Sequence, residues 1–138
     1  SSPLETLLPD GWPRPKGYAN GVRVPAGRDL VFVAGMVGWD ASERIVSSDF
    51  VAQFEQALCN VVAVVGRAGG APGDVVRMTV FVTDLEAYRS RLPEVGAAWR
   101  RVMGRSFPAM ALLQVKGLLE DGALVEIEAT AAVPPRSS

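Results

Sequence analysis

The apolar positions change period along the chain, and each change marks an element. Residues 30–35, "LVFVAG", form a compact apolar run with the length of a buried strand. After a polar stretch, "MVGWDASERIVSS", which reads as a loop, the period lengthens. Phe50, Phe54, Ala57, Leu58, Val61, Val62 and Val65 recur at helical spacing. Ser47, Ser48 and Asp49 supply N-cap chemistry just ahead of them, so a helix is predicted from there to about Arg67. "AGGAPGD" ends it with glycines and a proline. Residues 75–82, "VVRMTVFV", are rich in β-branched side chains and predict a strand. "TDLEAYRSRLPEVGAAWRRVMG" predicts a short turn and a second helix, with Pro93 at its first position and Gly104 at its end. "PAMALLQV" (108–115) and "ALVEIEATAAV" (123–133) read as closing strands. Upstream, "YANGVRV" (18–24) predicts a first strand, with Asn20-Gly21 as a bulge or turn, and "PAGRD" predicts a turn.

The predicted order is β-β-α-β-α-β-β, with the last two strands as an antiparallel pair. It implies an α+β fold: a two-layer sandwich of a single mixed sheet with two amphipathic helices on one face. No helix remains for the other face, so oligomerisation is expected to cover it; the mean hydropathy of +0.19 agrees. Residues 1–138 are read as one domain, with an irregular segment at 1–16, where Pro3, Pro9, Pro13 and Pro15 fall, and a frayed tail at 134–138.

Composition narrows the chemistry. Fourteen basic and 15 acidic residues give a net charge of −1, so no general attraction to nucleic acid or anionic membrane is expected. No apolar run reaches the roughly 18 residues of a transmembrane helix, and "SSPLETLLPDGW" has neither a basic n-region nor a long apolar h-region. Cys59 is the single cysteine, which fits a reducing cytoplasm. Histidine is absent, which removes the commonest general base and metal ligand. With one cysteine and no histidine, zinc and iron–sulfur sites are not expected. Catalysis would rest on carboxylates, Arg, Lys, Tyr, hydroxyls, backbone groups and water.

The last strand carries the most informative alternation. Leu124, Glu126, Glu128 and Thr130 fall on one face, and Ala123, Val125, Ile127 and Ala129 on the other. The apolar set fits beneath the helices, which leaves two carboxylates on the uncovered face. Either they pair with cations or water, or one of them positions a water or acts as acid/base. On "PAMALLQV", Met110 shares a face with Leu112 and Gln114, where it reads as an apolar gap-filler. "AGMVG", after the second strand, lacks the ending of a phosphate loop but lets backbone approach a ligand. Cys59, mid-helix beside Leu58, reads as a buried structural thiol. Arg100, Arg101 and Arg105 gather near a helix end, where they either complement its dipole or reach an anion. Tyr18 reads as a strand aromatic or a pocket wall.

In order and spacing, "GYANGV", "LVFVAGMVG", "QFEQALCNV", "AGGAPGDVVRMTVFVTDLEAY", "FPAMALLQV" and "ALVEIEATA" resemble the RidA/YjgF family, also called the Rid or endoribonuclease L-PSP family, from about Gly17 to Val133. The resemblance implies a chorismate-mutase-like fold and a homotrimer whose helix-free faces form a central barrel, with small-molecule clefts between subunits. Well-studied members are cofactor-independent enamine/imine deaminases that release 2-keto acids and ammonia. Carried over by position, the water-positioning glutamate falls on Glu126 and the first-strand tyrosine on Tyr18. The "SGQ" after the second strand becomes Ala34, Gly35 and Met36. The "PAR" arginine that forks the substrate carboxylate becomes Met110, after Ala109, and a pocket cysteine becomes Leu112. An asparagine of the second helix has no counterpart; Gly96 lies near its place. The chain thus resembles a divergent, arginine-lacking subgroup. The resemblance implies a deaminase-type hydrolase of a small enamine, imine or related carbonyl derivative, and the methionine at 110 speaks against an efficient 2-aminoacrylate deaminase: either the substrate is less anionic and more apolar, or another arginine, Arg105 being nearest in sequence, supplies the charge, or catalysis is lost. The alternative is a non-catalytic metabolite-binding protein using the same cleft.

Overall fold

Asp49 and the glycines after Arg67 bound the longest helix. In the computed structural model, which describes residues 3–136, helix α1 spans Phe50–Arg67, and Asp49 caps it by accepting from the Ala52 amide at 3.0 Å. Five further strands and helices follow the predicted positions closely. Strand β3 is Asp29–Val37, β4 is Val75–Val82, helix α3 is Leu92–Met103, β5 is Ala109–Gln114 and β6 is Val125–Val133. One 3₁₀ turn, Pro72–Asp74, leads into β4.

These strands form a mixed sheet in the order β3-β6-β4-β5, in which only β4 and β5 run parallel. The closing strands β5 and β6 therefore do not pair, because β4 lies between them. A parallel neighbour needs a crossover, and α3 supplies it. Helices α1 and α3 pack on one face. Phe54, Leu58, Val61 and Val65 from α1 and Val95, Ala98, Trp99 and Met103 from α3 meet Met78, Val80, Val125 and Ile127 from the sheet in one buried core.

The differences from expectation have local causes. The segment at 1–16 is not wholly irregular: β1, Glu5–Leu7, pairs antiparallel with β2, Gly21–Arg23, as a separate two-stranded ribbon. Its prolines flank the paired residues and so remove no ladder donor. The first predicted strand shrinks to β2, while Ala19 bridges to Ala109 at the edge of the main sheet. Strand β3 runs on to Val37 through a bulge between Val33 and Met36, so the loop starts later than "MVG" suggested. The turn before the second helix is itself a short helix, α2, at Leu85–Arg89. Arg91 is the N-cap of α3, which puts Pro93 at its second position, not its first. At the C-terminal end, the Arg136 amide donates to Asp29 Oδ2 at 3.1 Å, so 134–136 is tied down; the rest of the predicted frayed tail, Ser137 and Ser138, lies outside the described residues, as do Ser1 and Ser2.

Candidate functional site

Register assigns every candidate side chain to a face. Val80 is level with Leu112 on one side and Ile127 on the other, and Met78 with Met110 and Ala129. Met78, Val80 and Ile127 are buried under the helices, so Met110 and Leu112 point to the helix side. Phe81 is level with Glu126 and Leu113, and Thr79 with Glu128 and Ala111; these belong to the helix-free face. The predicted split of β6 holds, with Val125, Ile127 and Ala129 buried and Glu128 exposed. Within one chain, Met110 and Glu126 therefore lie on opposite faces of the sheet.

On the helix-free face, the bulge in β3 brings Gly35 over Glu126. A Cβ built on Gly35 would lie 2.2 Å from Glu126 Oε2, so only glycine leaves that carboxylate its present place. Glu126 is partly buried there. The same face exposes Leu30 and Phe32, the latter 75% accessible. Met36, by contrast, is level with Ile127 and packs against the core, so it does not join Glu126.

On the helix side, a cavity of about 420 Å³ opens between α3 and β5. Met110 and Leu112 form its sheet wall, and Phe54, Val95 and Trp99 its helix wall. Phe107 stacks flat on Trp99, with ring centroids 5.8 Å apart and planes at 2°, and the Trp99 indole N–H donates to the Ser106 carbonyl at 3.1 Å. Burial pushes the Tyr88 phenol above its ordinary pKa, so the cavity meets it as a neutral hydroxyl. Lys16, Arg100 and Arg105 also line the cavity, and among the described residues no carboxylate does.

Tyr18 stands outside this space. It lines a neighbouring cavity of about 460 Å³ beneath the β1 segment, which shares Gly17, Arg105 and Phe107 with the first. It also lines a smaller one with Ala109 and Met110. Of the predicted site residues, the structure thus joins Met110, Leu112 and Arg105, joins Tyr18 to Ala109 and Met110, and joins Gly35 to Glu126. Lys16, Trp99 and Phe107 were not foreseen. The spacing of Val95 and Trp99, one helical turn apart on the apolar side of α3, was the available signal.

Cys59 corrects an expectation. It is exposed, not buried, because one helical step beyond Leu58 carries it onto the stripe of Glu55 and Ala63. Partial desolvation, and secondarily the charge of Glu55, raise its pKa, so at neutral pH it is a thiol.

The family described as Endoribonuclease L-PSP has a sequence model that matches residues 13–133. The 2-iminobutanoate/2-iminopropanoate deaminase of Salmonella typhimurium is 34% identical over 117 residues, covering 83% of this chain and 85% of that protein. A RutC family protein of Pyrococcus abyssi is 31% identical over 129 residues, covering 92% and 95%. The crystal structure of YyfB from Yersinia pestis, a Rid family protein of unknown function, superposes with a TM-score of 0.79 at 29% identity, over 96% of this chain and all of that one.

Proposed function

The chain belongs to the endoribonuclease L-PSP family, which includes the RidA/YjgF proteins, and from that premise we propose that it is a cofactor-independent hydrolase of a small imine or enamine. The observation that carries the reading is the Glu126 carboxylate lying over the glycine backbone of the β3 bulge. A carboxylate beside open backbone can accept a proton from water while that water adds to a C=N carbon. The proton then goes to nitrogen, and the carbinolamine collapses to a carbonyl compound and ammonia. An enamine first takes a proton on carbon to become the imine. Atoms balance with one water consumed, and no redox partner is needed.

Met110 and Glu126 face opposite ways in one subunit, so this reading requires clefts to which two subunits contribute. A homotrimer joined through the helix-free faces supplies them, and the exposed Phe32 and Leu30 support such a joint. Met110 cannot fork a carboxylate as an arginine would, which argues against small, strongly anionic imines as the preferred substrates. The same substitution favours a second reading, a binding protein that holds a metabolite in this cleft without turnover.

The test is release of ammonia from imines generated by an amino-acid oxidase. Glu126→Gln is expected to slow it about hundredfold; equal rates in the two proteins would remove Glu126 from the mechanism. Ligands recovered unchanged from both proteins would favour the binding reading.

A further inference from the structure

We infer that the cavity between α3 and β5 takes the aromatic or bulky apolar group of a small carboxylate, and that Arg100 and Arg105, not the sheet wall, hold its charge. This deepens the hydrolase reading and rests on it for the reacting group, but its readout is binding alone.

Three observations converge. The first is size. At about 420 Å³ the cavity exceeds the roughly 150 Å³ that holds benzene in an apolar interior, and it lies within the range of ligand sites. A two- or three-carbon acid would leave most of it unfilled. The second is lining. Phe54, Val95, Trp99, Met110 and Leu112 offer apolar and aromatic surface, with the Trp99 ring already fixed by its stack on Phe107 and its bond to Ser106. A ring fixed in advance loses little conformational entropy when a ligand packs on it. The third is charge. Arg100, Arg105 and Lys16 reach the same cavity, and among the described residues no carboxylate lines it. Their helical neighbour Arg101 is neutralised by Glu55 at 2.6 Å, whereas Arg100 and Arg105 form no ion pair among the described residues. The helix dipole alone would account for cations at the end of α3, but not for two of them, with a lysine from a distant segment, beside an apolar cavity. An apolar body with a cationic border matches an arylalkyl carboxylate of the 2-imino or 2-keto acid class.

Gly96 gives a clean way to close the cavity. It lines the space, and a Cβ there meets only Arg100 Nη1 at 3.5 Å, an ordinary contact. Gly96→Leu therefore fills the cavity while improving helix propensity, and its melting temperature is expected to be no lower than that of the wild type. The probes are phenylpyruvate, pyruvate and the uncharged 4-phenylbutan-2-one, with calorimetric titration as the readout. The wild type is expected to bind phenylpyruvate at least tenfold more tightly than either of the others. Gly96→Leu is expected to lose the preference over pyruvate. The double variant Arg100→Gln, Arg105→Gln is expected to lose the preference over the ketone and keep that over pyruvate. Equal affinity of the wild type for all three, no binding of phenylpyruvate at millimolar concentration, or unchanged phenylpyruvate binding by a folded Gly96→Leu would each overturn the proposal.

Discussion

The carboxylate of Glu126 fills the space directly above the α-carbon of Gly35: a Cβ at that position would lie 2.2 Å from Oε2 and 2.8 Å from Cδ of the glutamate. Gly35 sits in the β3 bulge, between the Val33–Ala129 and Met36–Ile127 pairs. Because the nearest atoms belong to the end of a flexible side chain, alanine would displace the carboxylate and not the backbone. Gly35 has a negative φ, so alanine brings no dihedral strain.

Gly35→Ala is therefore expected to cost activity and little stability. Imine hydrolysis should fall at least tenfold while the melting temperature stays within a few degrees of wild type, since surface-accessible substitutions without backbone strain shift stability by roughly 0.5 kcal/mol. Ammonia release and thermal melting on the same preparation check it. A fully active Gly35→Ala would show that the present position of the Glu126 carboxylate is not the working one.

Gln53 is the fully buried polar side chain of α1, and it joins three segments. Its Nε2 donates to the Ser47 carbonyl at 2.8 Å and the Gly122 carbonyl at 2.9 Å, and its Oε1 accepts from the Leu124 amide at 2.8 Å. The turn before β6 and the loop before α1 are thus held to one residue. Gln53→Leu would leave two partly buried carbonyls and an amide without this partner. A loss of roughly 2–4 kcal/mol is expected, read as a lower urea midpoint at unchanged slope. A loss under 0.5 kcal/mol would mean that water replaces the amide.

How much of this was legible in the sequence varies with how local each signal is. Helix α1 and strand β4 appear where their patterns put them, because the Asp49 cap and the β-branched run at 75–82 are local. Strand β1 was not legible: three residues pair with a partner some fifteen positions away, and no short-range pattern records that. The candidate site shows the same division. Alternation along β5 and β6 separated Met110 and Leu112 from Ala109 and Ala111, and Val125 and Ile127 from Glu126 and Glu128. It could not say that Met110 and Glu126 would face opposite ways, since that depends on the register of both strands with β4. The cavity was equally hidden, because Lys16, Trp99 and Met110 come from three separate segments and meet only through the crossover of α3.

Three carboxylates contribute to the fold's dependence on acid. Asp49 is held below the usual carboxylate range by the Arg91 guanidinium, then by the Ala52 amide. Glu55 is lowered by Arg101, and Asp40 by the backbone amides of Arg44 and Ser42. In each case the unfolded chain binds its proton more readily than the folded chain. The stabilisation is therefore complete above the unfolded values of about 4 and is lost as pH falls through the lower folded ones. With no histidine in the chain, no imidazole step is superimposed between pH 6 and 7. The melting temperature is expected to stay level from pH 7 to about 5.5 and to drop below about 4.5. Asp49→Asn separates the cap from the charge: asparagine still caps α1 but cannot pair with Arg91 as an anion. The variant should melt below wild type at pH 7, and the gap should narrow as the pH approaches 3, because protonation of Asp49 removes the same charge. A gap of constant size from pH 7 to 3 would place the effect in the cap and not in the ion pair.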